Sequence, residues 1–221
     1  MLDRYINDCD RLNLQSGSTN QLAKYLLTTI LSPFERRRAG HLVKMTDSPR
    51  LHLGCGDTYL SGWINVDVAR PGRRLDLRWD LRRGLSFPDG TADAIFSEYL
   101  FEHIDLRGSL ALMTECQRVL RTGGVFRIAV PDLERYILAY VGQDSIIRDV
   151  RPDRPTDSCA INEVFYLHGH RTIYNWPLMK AMLESAGFGR VSKSSFGNSV
   201  LEPPPDGSNR CAESLYVEAI K

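Results

Sequence analysis

The amino-acid sequence predicts an α/β protein, in which a sheet is covered by helices and a helical segment precedes it. Short apolar runs, at residues 51–53, 64–66 and 92–96, alternate with stretches whose apolar residues recur at helical spacing. The chain has 221 residues, 43% of them hydrophobic, which is enough for one domain with a sizeable core. We therefore expect one core domain, residues 49–221, behind a helical appendage, residues 1–48.

The turn after the first predicted strand carries two glycines one residue apart, Gly54 and Gly56. Neither has a Cβ, so the backbone can turn at positive φ and a ligand can approach the main chain, with amide hydrogens facing it. Asp67 ends the second apolar run, and open α/β sheets bind ligands at the carboxyl ends of their strands. Its two carboxylate oxygens suit the two hydroxyls of a ribose, so the stretch predicts a nucleoside-containing cofactor. A glycine turn beside a solvated Asp67 is the alternative that these residues leave open.

The same stretch argues against two other nucleotide sites. The dinucleotide fingerprint needs a third glycine three residues after the second, where this chain has Tyr59. Asp67 follows Gly56 by only eleven residues, which leaves no room for a full crossover helix ending on a pyrophosphate. The turn also lacks the Lys-Ser/Thr pair of a triphosphate loop.

Six short motifs then resemble class I S-adenosylmethionine-dependent methyltransferases in their order and spacing. They are Leu51-His-Leu-Gly-Cys-Gly-Asp57, Gly62-Trp-Ile-Asn-Val-Asp67, Phe87-Pro-Asp-Gly-Thr-Ala-Asp93, Ser97-Glu-Tyr-Leu-Phe-Glu-His103, Arg118-Val-Leu-Arg-Thr-Gly-Gly124 and Val130-Pro-Asp132. They are most similar to the branch whose second strand reads Gly-Trp-x-Asn-Val-Asp, often associated with saccharide or secondary-metabolite modification. The resemblance is strong over residues 50–135 and weaker over 168–190.

This resemblance implies a Rossmann-like sheet whose last strand runs antiparallel to the rest, and S-adenosyl-L-methionine as the cofactor. It places Asp80 and Leu81 against the adenine and the polar end of the fourth strand towards the transferred methyl group. Together with the glycine turn and the acid, the predicted cofactor-binding residues are Leu53, Gly54, Cys55, Gly56, Asp67, Val68, Asp80, Leu81, Ser97 and Glu98.

Three residues are predicted to be catalytic: His168, His170 and Tyr99. The sulfonium of the cofactor carries its own leaving group, so the protein must supply alignment, a polar enclosure and sometimes a base. A histidine of near-neutral pKa can take a proton from a hydroxyl or amine, although either histidine could instead only fix its loop. Relatives commonly have a histidine where this chain has Tyr99, and a phenol is a poorer base at neutral pH.

The predicted substrate-binding residues are His103, Tyr166 and Arg171, with a structural role at a helix start as the alternative for His103. No metal is predicted, because His168-Gly-His170 has no companion Cys and only scattered carboxylates around it.

The appendage, residues 1–48, reads as three short helices, the third beginning at Ser32-Pro33 with Pro at its first position. In relatives such a segment often covers the cofactor site, so we expect a lid or pocket wall; a packing brace or dimer surface is the alternative. Residues 141–175 are polar, Pro- and Arg-containing and irregular in pattern, and are predicted to be a substrate-binding insertion.

Composition limits the partners and the compartment. The formal net charge is +1 with scattered charges, which disfavours nucleic acid as a partner. The five cysteines form no C-x-x-C pair and are predicted to be reduced. The first residues carry acids where a signal peptide needs bases, and the longest apolar stretch is too short for a membrane span, so we expect a cytoplasmic protein, with homodimerisation left open.

The sequence thus predicts an S-adenosylmethionine-dependent methyltransferase that acts on an oxygen or nitrogen of a small polar metabolite, which can include a sugar. A protein that binds the cofactor without transferring the methyl group is the alternative from another class. An α/β protein for a different nucleotide is disfavoured by the missing glycine and the missing triphosphate loop.

Overall fold

The computed structural model describes residues 4, 6–7, 19–68, 72 and 74–221, with the backbone alone for 19–25. The first of the three helices predicted in the appendage lies largely outside the described residues.

In the appendage, residues 19–44 form a single long helix, α1, Thr19–Lys44, rather than two short ones. Pro33 lies inside α1, so the prediction of a new helix at this proline was wrong. Proline removes one intrahelical hydrogen bond. Packing of the following turns offsets that loss, because Ala39 is fully buried and the Glu35 carboxylate accepts a hydrogen bond from the Arg78 amide at 3.1 Å. That amide belongs to a strand at the edge of the sheet, so α1 covers the edge.

In the part of the chain that the structure describes, the sheet has seven strands: β1 Arg50–Leu53, β2 Ile64–Asp67, β3 Leu77–Arg78, β4 Ala92–Glu98, β5 Leu120–Pro131, β6 Arg190–Ser194 and β7 Ser214–Ile220. Their order is β3-β2-β1-β4-β5-β7-β6. Strands β1 to β5 pair in parallel, whereas β7 is antiparallel to both β5 and β6. The α/β class and the antiparallel last strand are confirmed.

After α1, the described residues form five further helices: α2 Leu106–Val119, α3 Leu133–Tyr140, α4 Ile146–Val150, α5 Asp157–Tyr166 and α6 Trp176–Ser185. The main core cluster joins buried residues of β1, β2, β4, β5 and β7 to α1, α2 and α6. Short 3-10 turns at Leu81–Arg83, Phe101–His103, Leu167–Gly169 and Ser208–Glu213 connect the strands and helices.

The position of Gly123 and Gly124 shortly after α2 suggests a C-terminal helix cap, but the structure shows that they do not cap α2. Strand β5 begins directly at Leu120, and Gly123 (φ +78°) lies inside it, where the register with β4 shifts. The Gly123 amide donates to the Lys221 carbonyl at 2.8 Å. The pair therefore shapes the strand rather than ending the helix.

The predicted insertion is more ordered than its sequence pattern suggests. It holds α4 and α5, and with α3 these form a second buried cluster of Tyr136, Ala139, Ile146, Ile147, Ala160 and Val164. The insertion therefore has a core of its own beside the sheet.

A buried ion cluster fixes the chain between β6 and β7. The fully buried Arg127 guanidinium pairs with Asp206 at 2.5 Å and with Glu218 at 2.9 Å. It also donates to the Ser195 carbonyl at 2.9 Å. The loop before β7 is thereby held against the sheet, which positions the residues that follow it.

Among the described residues, every helix is too short or too polar to cross a membrane.

Candidate cofactor and substrate site

The sheet has its topological switch point between β1 and β4, because the chain runs from β1 outward to β2 and β3 and then returns to β4. Ligands of open α/β sheets bind in the crevice outside the carboxyl ends of the strands at such a point. The register aligns Leu53 with both Val66 and Ser97. Most of the predicted cofactor residues therefore lie at this edge of the sheet.

The two glycines of the turn after β1 differ in the space around them. Both have positive φ, +67° at Gly54 and +55° at Gly56. A Cβ on Gly54 would lie 2.8 Å from a Leu100 methyl carbon, so the close approach there is to the protein itself. A Cβ on Gly56 would meet nothing nearer than the Gly54 carbonyl oxygen at 4.0 Å. The open side of the turn is thus above Gly56.

Three amide hydrogens of this turn bond to the protein and not outward. The Gly54 and Cys55 amides donate to the Val66 carbonyl at 2.9 and 3.3 Å, and the Gly56 amide donates to Asp67 at 2.8 Å. The expectation that these amides face a ligand was therefore wrong. Cys55 is buried, and the buried Leu53 ends β1. The amide bonds fasten the turn to β2.

Asp67 lies at the carboxyl end of β2, 8% exposed. Its carboxylate accepts from the Gly56 amide at 2.8 Å and from the Val68 amide at 2.7 Å. Asp67 thus braces the glycine turn in this structure. Its contact with a ribose stays a prediction.

Asp80 is buried and is engaged by its neighbour. Its carboxylate caps the turn that follows, accepting from the Arg82 amide at 3.1 Å, and it binds the Arg82 guanidinium in a fork at 2.9 and 2.9 Å. Leu81 is buried beside it. The adenine contact of these two residues stays a prediction, and Arg82 is a partner that the sequence did not indicate.

The end of β4 joins the cofactor edge to a larger cleft. The Ser97 hydroxyl is fully buried and has no hydrogen-bond partner within the described part of the chain. Glu98 accepts from the Gly207 amide at 3.0 Å, and burial raises its pKa. Tyr99 has φ +53°, a left-handed conformation that few aromatic residues adopt and that clusters at functional sites.

The cleft has a volume of about 600 Å³. Tyr99 and Pro131 line it from the ends of β4 and β5. The insertion contributes Arg151, Arg154, Glu163, His168 and His170, and the segment before β7 contributes Arg210 and Glu213. Of these, the sequence singled out only Tyr99 and the two histidines. The acids and arginines belong to no recognisable sequence motif. They also lie far from β4 in sequence, so the sequence analysis did not predict them as part of the site.

Both histidines of the cleft are neutral near pH 7. Burial lowers the pKa of His168, helped by the positive charges of Arg210 and Arg151. Burial also lowers the pKa of His170. The neutral imidazole is the form that can accept a proton, although a lower pKa makes each a weaker base. His168 also has a left-handed backbone, φ +62°.

Tyr99 suits a positioning role better than a basic one. Its hydroxyl shares a hydrogen bond with the Ser214 hydroxyl at 2.9 Å, and burial raises its pKa far above neutral. The phenol therefore stays protonated near pH 7. The Arg210 guanidinium lies over the ring, 4.4 Å from the centroid.

The charges of the cleft fall into paired and unpaired groups. Arg151 binds Glu163 at 3.1 Å and Glu213 at 3.0 Å, and Arg154 also pairs with Glu163, so two arginines balance the charges of two buried carboxylates. The side chain of Arg210 is exposed and makes no ion pair within 4.0 Å in the described ranges. Arg210 is therefore the cation that the cleft can offer to a substrate anion.

The three predicted substrate-binding residues lie outside the cleft lining. Tyr166 is 72% exposed, and Arg171 is exposed with its amide donating to the Glu102 carbonyl at 2.7 Å. His103 is exposed and stands edge-on to His170, with ring centroids 5.0 Å apart. Their roles in substrate binding stay predictions.

The strand order, the glycine turn and the acid at the end of β2 define a class I S-adenosylmethionine-dependent methyltransferase fold. Comparison with known proteins agrees: a family described as "Methyltransferase domain" matches residues 66–128. A curated relative from Mycolicibacterium smegmatis, named a probable S-adenosylmethionine-dependent methyltransferase, is 34% identical over 99 residues. That match covers 37% of this chain and 37% of the relative, so the chain matches just over a third of the relative's length.

Two solved structures share the fold. A SAM-dependent methyltransferase from Archaeoglobus fulgidus superposes with a TM-score of 0.52 at 16% identity, over 90% of this chain and 94% of that one. A candidate O-methyltransferase from Nostoc punctiforme gives 0.53 at 13% identity, over 99% and 68% of the two chains. The chain thus resembles S-adenosylmethionine-dependent methyltransferases in part of its sequence and shares their fold.

Proposed function

We propose that this protein transfers a methyl group from S-adenosyl-L-methionine to an oxygen or nitrogen atom of a small polar metabolite. The observation that carries the proposal is the charged cleft beyond β4 and β5, whose lining includes Tyr99, two residues after Ser97 at the cofactor edge of the sheet. A methyl donor at that edge and an acceptor in the cleft would be neighbours.

The residues at the switch point fit the cofactor. The Asp67 carboxylate ends β2 beside the glycine turn, the buried Ser97 hydroxyl has no hydrogen-bond partner among the described residues, and the side of the turn above Gly56 is open. When bound, the cofactor supplies an activated methyl group, and the protein's part is to align it with the acceptor.

The cleft supports a small polar acceptor. Its volume of about 600 Å³ lies within the roughly 300–1,000 Å³ of small-molecule sites. The exposed cation, Arg210, and the paired acids and arginines favour a substrate with charged or hydroxyl groups over an apolar one. A sugar-containing acceptor is the narrower form of this proposal, and the resemblance of the Gly62–Asp67 motif supports it.

His168 supplies the proton acceptor in this proposal. It lines the cleft, and its lowered pKa keeps it neutral at pH 7. An acceptor hydroxyl or amine that becomes positive on methylation would lose its proton to this imidazole. Arg210 would hold an anionic group of the same molecule.

Nucleic acid is not proposed as the acceptor, because the cleft carries both signs of charge and the chain has a net charge of only +1. A cytoplasmic location and a homodimer stay predictions.

The proposal is tested with cofactor that carries a deuterated methyl group. The purified protein is incubated with this cofactor and an extract of small metabolites, and labelled products are identified by mass spectrometry. We expect S-adenosylhomocysteine and at least one labelled small molecule, both lost in the Asp67→Ala variant. Cofactor binding with no label in any metabolite would favour the alternative, a protein that binds the cofactor without transferring the methyl group.

A further inference from the structure

A cluster of three side chains beside the cleft combines one carboxylate with two imidazoles: Glu102, His103 and His170. One ligand atom from each lies within 4.8 Å of the other two. Glu102 and His103 belong to the turn after β4, and His170 follows the turn after α5. The Arg171 amide, at 2.7 Å, and the Thr172 amide, at 3.2 Å, both donate to the Glu102 carbonyl, which fastens the two segments together.

The carboxylate of Glu102 is the strongest indication of a missing partner. Glu102 is 1% exposed, and neither of its oxygens has a hydrogen-bond partner within the described residues. Burying a carboxyl group without partners is costly, and buried polar atoms in native proteins are nearly always satisfied by protein, water or an ion. A bound cation would satisfy both oxygens at once.

The imidazole of His170 is oriented as a metal ligand requires. Its Nδ1 lies 2.7 Å from the Val164 carbonyl oxygen. A carbonyl can only accept, so Nδ1 carries the hydrogen and the lone pair is on Nε2. Metal-binding histidines almost always donate their other ring N–H to a carbonyl or carboxylate in this way.

We propose that Glu102, His103 and His170 bind a divalent transition-metal ion at the wall of the cleft. Two nitrogens and one oxygen suit Zn²⁺, or Fe²⁺, Mn²⁺ and Co²⁺, better than Mg²⁺ or Ca²⁺, which prefer oxygen ligands alone. Three protein ligands leave at least one coordination position for another molecule. This inference departs from the prediction that the protein holds no metal, which considered His168 and His170 as the pair.

The geometry needs a modest adjustment. Ligand atoms of a tetrahedral zinc site lie about 3.4 Å apart, given bond lengths of about 2.0–2.2 Å. Atoms within 4.8 Å of one another must therefore draw together by at most about 1.4 Å. His103 is exposed, so its ring has room to turn towards the other two.

Nearby charges partly cancel at the cluster. The Arg210 guanidinium would repel a cation, whereas the carboxylates of Glu98 and Glu213, which also act on Glu102, would attract one. An ion bound to His170 would lie close to the cleft that this residue lines. If the proposed methyl transfer holds, such an ion would bind an acceptor hydroxyl and lower its pKa, which prepares the oxygen for methylation. Metal binding itself does not depend on that function.

The test is calorimetric titration of the chelator-treated full chain with Zn²⁺ and, separately, Mn²⁺. We expect one ion per chain, and at least about 100-fold weaker binding in Glu102→Gln and in His103→Asn, since even the loss of outer-shell partners costs about 10- to 100-fold. His168→Gln is the matched control, because His168 lines the same cleft outside the cluster and its variant should bind the ion normally.

The absence of stoichiometric binding, or equal affinity in Glu102→Gln and His103→Asn, would overturn the inference. His103→Asn changes an exposed residue, so it keeps the test valid even if Glu102→Gln fails to fold. Titration of the same proteins with S-adenosylhomocysteine separates the two ideas. If the protein binds S-adenosylhomocysteine but no metal ion, only the metal site is refuted. If it binds a metal ion but not S-adenosylhomocysteine, only the proposed function is refuted.

Discussion

Replacing Asp67 by Ala tests the cofactor edge most sharply. The carboxylate is 8% exposed, lies at the carboxyl end of β2 and accepts hydrogen bonds from the Gly56 and Val68 amides. Hydrogen bonds to charged groups contribute about 1.5–3 kcal/mol each and are not additive, so losing two to a ribose should weaken cofactor binding by about 2–4 kcal/mol. That corresponds to an increase in Kd of about 30- to 700-fold, measured by calorimetry with S-adenosylhomocysteine.

The same substitution leaves the amides of Gly56 and Val68 without their acceptor, so a loosened turn must be separated from a lost ligand contact. Asn65→Ala is the control, because Asn65 braces the same loop through Leu60, with bonds of 2.9 Å in both directions, yet lies inside β2. We expect Asn65→Ala to lower the free energy of unfolding while changing Kd only a few-fold. A folded Asp67→Ala protein with normal affinity would refute the ribose assignment.

Three further outcomes follow from the structure. His168→Gln should lower turnover about 10²- to 10⁴-fold at neutral pH with unchanged cofactor affinity, and the lowered pKa of His168 should place the acidic limb of the rate profile below pH 6.5. Gly54→Ala should destabilise the protein by about 1–3 kcal/mol, because its Cβ meets Leu100 at positive φ, whereas Gly56→Ala should lose more cofactor affinity than stability. Burial lowers the pKa of His52 from 6.5 to about 4 in the folded protein. As the pH drops, the histidine of the unfolded chain is therefore protonated before that of the folded protein. The free energy of unfolding should fall by about 3 kcal/mol between pH 6.5 and pH 4.

Each of these has a contradicting result. Normal turnover in His168→Gln would remove that base, and a Gly56→Ala protein that binds cofactor normally would show that the ligand lies elsewhere. Denaturant unfolding of His52→Gln should show a smaller loss between pH 6.5 and 4 than the unchanged protein. An identical loss would assign the acid sensitivity to other groups.

The sheet could be predicted because its signals are local. The glycine turn, Asp67 and the apolar runs of β1, β2 and β4 each stand in a few consecutive residues, and the resemblance supplied their order. The long helix α1 was missed because Pro33 is a strong local breaker, and only the packing of Ala39 and the Glu35 bond to β3 override it.

The cleft could be predicted only in part. Tyr99 and the histidines were visible as unusual residues, whereas Arg210 and Glu213 enter through the segment that Arg127 and Asp206 hold before β7, a long-range contact. The pairing of Glu102 with His170 spans 68 residues of sequence. No sequence-spacing rule connects these positions, because they meet only where the Arg171 and Thr172 amides bond to the Glu102 carbonyl.

The most direct measurement is calorimetric titration of the purified protein with S-adenosyl-L-methionine, S-adenosylhomocysteine and NAD. We expect the first two to bind with one molecule per chain, through the edge formed by Asp67 and the turn at Gly56, and NAD to give no saturable heat. Binding of NAD alone would contradict the central claim, that the switch point between β1 and β4 is a methyl-donor site.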